Sequence, residues 1–252
     1  AKMVQELRER TGAGMMDCKR ALTATGGDLE TAIDHLRKAG LKAADKKAGR
    51  EMAEGRVAAT IAPDGKSGAM VALTTETDFV GKSEAVEGLL AELCAHVHEH
   101  KPASVEELLA QPWKGGSTVD EAVKGVSGKA GENMQVLGVA FMENANGRVG
   151  MYIHHNWRVG VLASITTGAE AEKTDGFLKS MGMHVAAIKP VALTRDEIPA
   201  AEIEREKAIY LEEVKSKPAE IQDKIIGGKL EKFFSGLALV EQPWVKDDKL
   251  TV

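Results

Sequence analysis

Aromatic residues are scarce in this chain, whose 252 residues include three Trp, two Tyr and five Phe. Each ring is therefore worth tracing. Cysteine is scarcer still: Cys18 and Cys94 lie in separate segments, which excludes a disulfide framework and fits a reducing cytoplasm. No apolar run approaches the roughly 18 residues that would span a bilayer, and the N-terminus lacks the basic-then-apolar pattern of a secretion signal. Positive charge is also short, with a formal net charge of -5 and a pI near 5.9. That balance argues against general affinity for a phosphate backbone, so direct nucleic-acid binding is not expected. What is present, 43% hydrophobic and 28% charged residues, belongs to a soluble globular protein of one large or two to three small domains.

The first forty residues predict three short helices punctuated by glycine. Val4, Leu7 and Arg8 sit on the first, which stops at Thr11-Gly12-Ala13-Gly14, and the second carries Met15, Met16, Cys18, Lys19 and Leu22. Asp28 caps a third, whose Leu29, Ala32, Ile33 and Leu36 recur at helical spacing before Gly40 ends it. Neighbouring residues on a helix point about 100° apart, so Met15 and Met16 cannot both enter one small core and one of them is exposed. An exposed Met beside Arg8 and Lys19 makes an adaptable contact surface. A bundle of this size buries little and gains from docking on something.

Residues 41–54, Ala- and Lys-rich, predict a linker. A strand period begins at Gly55, turns at Pro63-Asp64-Gly65 and returns through residues 68–74 as a hairpin. Thr77-Asp78-Phe79-Val80 follows, setting a ring beside a carboxylate just before a helix that carries Val86, Leu89, Leu90, Leu93 and Val97 on one face. About ninety residues on, a second hairpin over 136–141 and 147–153, a strand over 159–166 and a helix with Phe177, Leu178, Met181 and Val185 repeat the order, which indicates an internal duplication. The corresponding point of the repeat is Thr166-Thr167-Gly168, without an aromatic. The fold thus does not call for a ring there, and Phe79 reads as a projecting wedge. Beyond Pro190 two charged helices broken at Ser216-Lys217-Pro218 predict an antiparallel hairpin, and residues 237–245 a return strand.

The predicted fold is α+β: a three-helix domain over 1–40, a linker over 41–54, a duplicated core with antiparallel sheets over 55–135 and 136–190, a projecting helical hairpin over 191–236 and the return strand within 237–252. Catalytic constellations fail. Cys94, His96, His98 and His100 offer two metal ligands per helix face at most, so no metal site is expected, and neither a phosphate cradle nor a nucleophile elbow is present. His154-His155 lies on a loop at the sheet edge with no nucleophile to serve. No catalytic residue and no cofactor are therefore assigned.

Several segments in order carry a resemblance: Glu6-Leu7-Arg8-Glu9-Arg10-Thr11-Gly12-Ala13-Gly14-Met15-Met16-Asp17-Cys18-Lys19, then Thr77-Asp78-Phe79-Val80, Gly131-Glu132-Asn133, and His184-Val185-Ala186-Ala187 with Lys189-Pro190. The ordered set resembles the bacterial elongation factor Ts family and covers nearly the whole chain. The resemblance implies a cytoplasmic guanine-nucleotide exchange factor that binds elongation factor Tu, GDP-bound and nucleotide-free, and has no covalent chemistry. It further implies a ubiquitin-associated-like N-terminal bundle that docks through Arg8, Met15, Met16 and Lys19. Thr77, Asp78, Phe79 and Val80 are implied as the segment that displaces the partner's magnesium- and phosphate-holding elements. Ala130, where relatives often carry a larger aliphatic, Gly131, and His154 with His155 are implied as further contacts. A second copy of this chain, paired through the core or the hairpin, is a further candidate partner. The competing classes are a helical adaptor working through its charged hairpin and a hydrolase using the histidine cluster.

Overall fold

Helical periodicity and cap residues lay down most of the chain, and the structure, a computed structural model, describes residues 2–252. Contacts divide it into a first unit ending at Leu178 and a second, Lys179–Val252. The first unit begins with α1 (Lys2–Thr11), α2 (Met15–Ala24) and α3 (Leu29–Asp45), followed by β1 (Glu54–Ile61), β2 (Ser67–Thr75) and the one-turn α4 (Asp78–Gly81). After these come α5 (Glu84–His100), α6 (Val105–Ala110), α7 (Val119–Ala130), β3 (Met134–Glu143), β4 (Arg148–Ile153), β5 (Gly160–Ile165) and α8 (Ala171–Ile188), which spans the boundary between the units.

The three N-terminal helices close over Leu7, Cys18, Ala21, Leu22 and Ala32, with Val4, Ile33 and Leu36 packed against them. Asp28 caps α3 by accepting the Thr31 amide at 2.7 Å, and Gly12, Gly26 and Gly27 take the left-handed backbone that the breaks require. The third helix does not end at Gly40 but runs on to Asp45. Gly40 has a packing role instead: a Cβ built on Gly128 of α7 would lie 2.7 Å from the Gly40 carbonyl oxygen, so the two glycines let α3 and α7 cross with their backbones nearly touching. Ion pairs Arg37–Glu121 and Lys124–Asp45 flank that crossing at 2.8 and 2.9 Å. Residues 41–45 are therefore part of a packed helix.

The core is α+β as the patterning predicts. The apolar stripe of α5, Val86, Leu89, Leu90, Leu93 and Val97, lies in one cluster with Ala69, Val71 and Leu73 of β2 and with Met134 and Val136 of β3. The strand pairing differs from the expected second hairpin. Residues 136–141 belong to β3, which pairs antiparallel with β2 and completes a sheet ordered β1-β2-β3, while β4 pairs with β5. Burial decides this: Met134 and Val136 put their side chains into the cluster that β2 and α5 already define, which β4 could not offer them. A strand-strand-helix order occurs in β1-β2-α5 and in β4-β5-α8, but β3, expected to open the second half at residue 136, belongs to the first sheet.

The second unit holds the end of α8, α9 (Ala200–Val214), α10 (Ala219–Leu237), β6 (Pro243–Trp244) and β7 (Asp247–Thr251). α9 and α10 form the expected hairpin, broken at Pro218, although Ile209, Leu211 and Ile221 stand exposed on a surface expected to be almost wholly charged. The return strand over 237–245 is not formed. α10 continues to Leu237, Ala238 makes an isolated parallel bridge with Ala192, a 3-10 turn follows at Leu239–Glu241, and the paired strand is confined to Pro243–Trp244, joined to β7. His184 accounts for this local geometry: fully buried, it binds the Gln242 side-chain oxygen through Nε2 at 2.9 Å, accepts the Val245 amide at Nδ1 and stacks on Trp244. Accepting that amide makes His184 the neutral Nε2–H tautomer, which donates to Gln242.

The helix crossing gives a paired prediction. A methyl at Gly125, which meets nothing within 4 Å, raises stability by up to about 1 kcal/mol as Gly125→Ala, because helix propensity alone changes. Gly128→Ala lowers it by about 1–3 kcal/mol, because the backbone of α3 has to move. Urea unfolding of the two variants checks the opposite signs.

Candidate functional site

The site grows from the place where the β2–β3 ladder runs out. The last backbone pair is Thr75 with Met134. Past it the two chains separate, and carboxylates take over from carbonyls as acceptors. The Asn133 amide donates to Glu76 Oε1 at 2.6 Å, while the Thr77 amide donates to Glu132 Oε2 at 3.0 Å. These crossed bonds clasp segment 76–77 to segment 132–133. Thr77 also donates its hydroxyl to Glu132 Oε1 at 2.5 Å, so that one carboxylate holds one residue through both oxygens. Asn133, buried, reaches the other way and donates to the carbonyls of Arg50 and Ala48 at 3.0 and 3.3 Å.

On this clasp sits the single turn of α4. Thr77 is its N-cap, accepting the Val80 amide on Oγ1 at 3.4 Å. Ser83 closes the other end, donating to the Val80 carbonyl at 2.7 Å and capping α5 through the Val86 amide. Val80 packs against the main core and Gly81 is buried. Between these anchors Phe79 points outward and is 84% exposed. A large ring left this open beside an anchored Val is an unusual use of apolar surface in a chain with so few rings. Asp78 stands beside it, exposed, with its carboxyl held below the usual carboxylate range by the hydrogen-bonded Lys82 ammonium at 2.7 Å; the Asp78 and Phe79 amides contribute to the same effect.

The N-terminal bundle supplies the other predicted contacts. Arg8 and Lys19 are exposed, and both Met15 and Met16 are 60% exposed, rather than one of the two. The bundle core is filled by Cys18, Ala21 and Leu22 of α2; Met16 faces away from them, and Met15, on their side by helical spacing, is the first residue of the helix and stays outside the core. Ala130 and Gly131 lie exposed at the end of α7, where Gly131 takes a left-handed cap (φ 78°). Gly12, Val80, Ser83 and Ala130 line one cleft of about 660 Å³, so the break between α1 and α2, the Phe79 turn and the end of α7 share a surface region.

His154 and His155 lie on the turn between β4 and β5. His154 is half-buried and bonded to the Tyr152 hydroxyl through Nδ1 at 2.8 Å, whereas His155 is exposed. One side chain touches both this turn and the Phe79 turn. Arg56 sits 4.5 Å over the Trp157 ring, donates to the Gly81 carbonyl at 3.4 Å and pairs with Glu87 at 2.5 Å. Sequence reasoning singled out Gly131-Glu132-Asn133 as a motif but missed that Glu132 and Asn133 brace the Phe79 turn, and it missed Arg56 and Glu76 altogether. A charged residue directly following a helix-ending glycine was the available signal.

The histidine cluster does not converge on one centre, although the His96 and His100 rings lie 4.2 Å apart. His96 binds the Gln111 side chain at 2.8 Å and packs on Trp113, and His98 binds Ser67 Oγ at 2.8 Å. Cys94 is buried, donates to the Ala58 carbonyl and has its thiol pKa pushed up to about 11 by burial. Among the described residues no group of three or more His, Cys, Asp or Glu side chains could hold a metal ion, and no helix is long and apolar enough to cross a membrane.

A family model described as Elongation factor TS matches residues 76–252. Proteins named elongation factor Ts from Trichlorobacter lovleyi and Methylococcus capsulatus are each 42% identical to this chain, covering all of it and 84% and 85% of their own lengths. Another of that name, from Clostridium botulinum, is 41% identical over all of this chain and 84% of its own length.

The Asp78–Lys82 pair carries a prediction with a definite sign. Lys82 favours the charged carboxylate, so Lys82→Ala raises the Asp78 pKa towards its ordinary value. A carboxyl-carbon NMR titration of the two proteins reads that direction.

Proposed function

The chain belongs to the elongation factor Ts family, and we propose that it is a translation elongation factor that binds elongation factor Tu in the cytoplasm and promotes release of GDP and nucleotide exchange. The observation that carries the mechanism is Phe79, 84% exposed on a turn anchored at both ends. The ring enters an apolar pocket of the partner and disturbs the elements that hold the magnesium ion and the GDP phosphates. Burial of one such side chain contributes roughly 1.5–3 kcal/mol, enough to serve as an anchor. Thr77 and Val80 hold the turn, and Asp78 presents a charged carboxylate beside the ring.

The bundle of α1, α2 and α3 is the docking domain, with Arg8, Met15, Met16 and Lys19 as its contact residues. Two exposed unbranched thioethers flanked by two cations suit a surface that must adapt to a partner. Ala130, Gly131, His154 and His155 extend the contact. The chain needs no covalent step for this work. It binds the nucleotide-free partner more tightly than the loaded one, and by linkage it weakens nucleotide binding by the same factor.

Release of labelled GDP from elongation factor Tu tests the reading. The intact protein accelerates release, and Phe79→Ala lowers the saturating rate roughly ten- to hundredfold. Thermal unfolding of that variant stays close to that of the parent, because an exposed side chain carries little stability. No acceleration by the intact protein would overturn the proposal.

A further inference from the structure

We infer that Glu132 is the positioning residue of the Phe79 wedge, acting through Thr77 and not through a contact of its own with the partner; this rests on the exchange reading above. A ring that is 84% exposed gains almost no orientation from packing, so its direction is set by the backbone of its turn. That backbone starts at Thr77, whose carbonyl accepts the buried Thr75 hydroxyl at 2.8 Å and whose amide and hydroxyl remain to be placed. Glu132 takes both, at 3.0 and 2.5 Å. With its proton directed to a carboxylate, the hydroxyl keeps a lone pair for the Val80 amide, and donation to an anion makes that oxygen a stronger acceptor. One carboxylate therefore holds the backbone and the rotamer of the cap residue, and the cap holds the turn.

Glu132 is itself held from behind. Gly131 ends α7 in the left-handed conformation, and the Glu132 carbonyl accepts the buried Ser127 hydroxyl at 2.6 Å. The direction of the ring is thus referred to the end of α7, 55 residues away in sequence. The companion bond from the Asn133 amide to Glu76 keeps the two segments adjacent but touches nothing beyond residue 76. The Thr75 hydroxyl holds the Thr77 carbonyl but not its side chain, so setting the rotamer of the cap falls to Glu132. A turn aimed before contact loses less conformational freedom on binding than a loose one.

The test is a double-mutant cycle read in GDP release, with each variant titrated against GDP-loaded elongation factor Tu to separate the saturating rate from the half-saturating concentration. Glu132→Ala lowers the saturating rate about tenfold, the scale of one net hydrogen bond because water takes over part of what is lost at this exposed cap, and shifts the half-saturating concentration by less than about twofold. Added to Phe79→Ala, the same substitution has no further effect, because no ring remains to be aimed. Glu132→Gln, which keeps the shape and one acceptor oxygen, falls between the parent and Glu132→Ala. If Glu132→Ala fails to fold by circular dichroism, the cycle with Glu132→Gln decides on a smaller factor. An equal loss with and without Phe79, or no loss at all, would overturn the inference. Phe79→Ala without effect would instead overturn the wedge reading beneath it.

Discussion

Two carboxylates that replace carbonyls at the end of a strand ladder are the constraint on which the site depends. Where β2 and β3 part, Glu76 and Glu132 each accept a main-chain amide from the opposite segment. Without them, two amides at the edge of the core would face the gap between diverging chains, at the cost of an unmade hydrogen bond each. With them, the chain can leave the sheet, make one helical turn and enter α5 without loosening. The exchange of acceptors lets a rigid core end in a projecting aromatic instead of a floppy loop.

Rigidity on one side of the turn is matched by openness on the other. Val80 and Gly81 are tied into the first unit's core, whereas Asp78 and Phe79 reach solvent. Burial stabilises the anchor and leaves the Phe79 ring, proposed as the wedge, outside the core. The N-terminal helices follow the same division, with Cys18, Ala21 and Leu22 inside and Met15 and Met16 outside. In both places the fold buries a side chain next to one proposed as a contact. Arg56 carries this bracing across to the β4–β5 turn, where the two histidines lie.

The parts legible in sequence were those written locally. Helical spacing and caps placed the bundle, α5 and the α9–α10 hairpin, and comparison of Phe79 with Thr166-Thr167-Gly168 marked the ring as dispensable to the fold. The parts that were not legible depend on contacts between distant segments. Gly40 reads as a helix stop until the backbone of Gly128 is seen against it. The pairing of β3 with β2 is set by burial of Met134 and Val136 against members of the cluster on β2 and α5, elements far earlier in the chain. The return strand failed because the buried bonds of His184 to Gln242 and Val245 require a turn there. Glu132 was visible as part of a motif, but its role lies in a bond that spans 55 residues.

The proposed exchange activity reduces to a difference between two affinities. Titration calorimetry of this chain against nucleotide-free and GDP-loaded elongation factor Tu measures that difference directly. The account predicts tighter binding to the nucleotide-free form, by the same factor by which this chain weakens GDP binding, and a smaller gap for Phe79→Ala. Equal affinity for the two forms would contradict it, because a ligand without preference shifts no equilibrium.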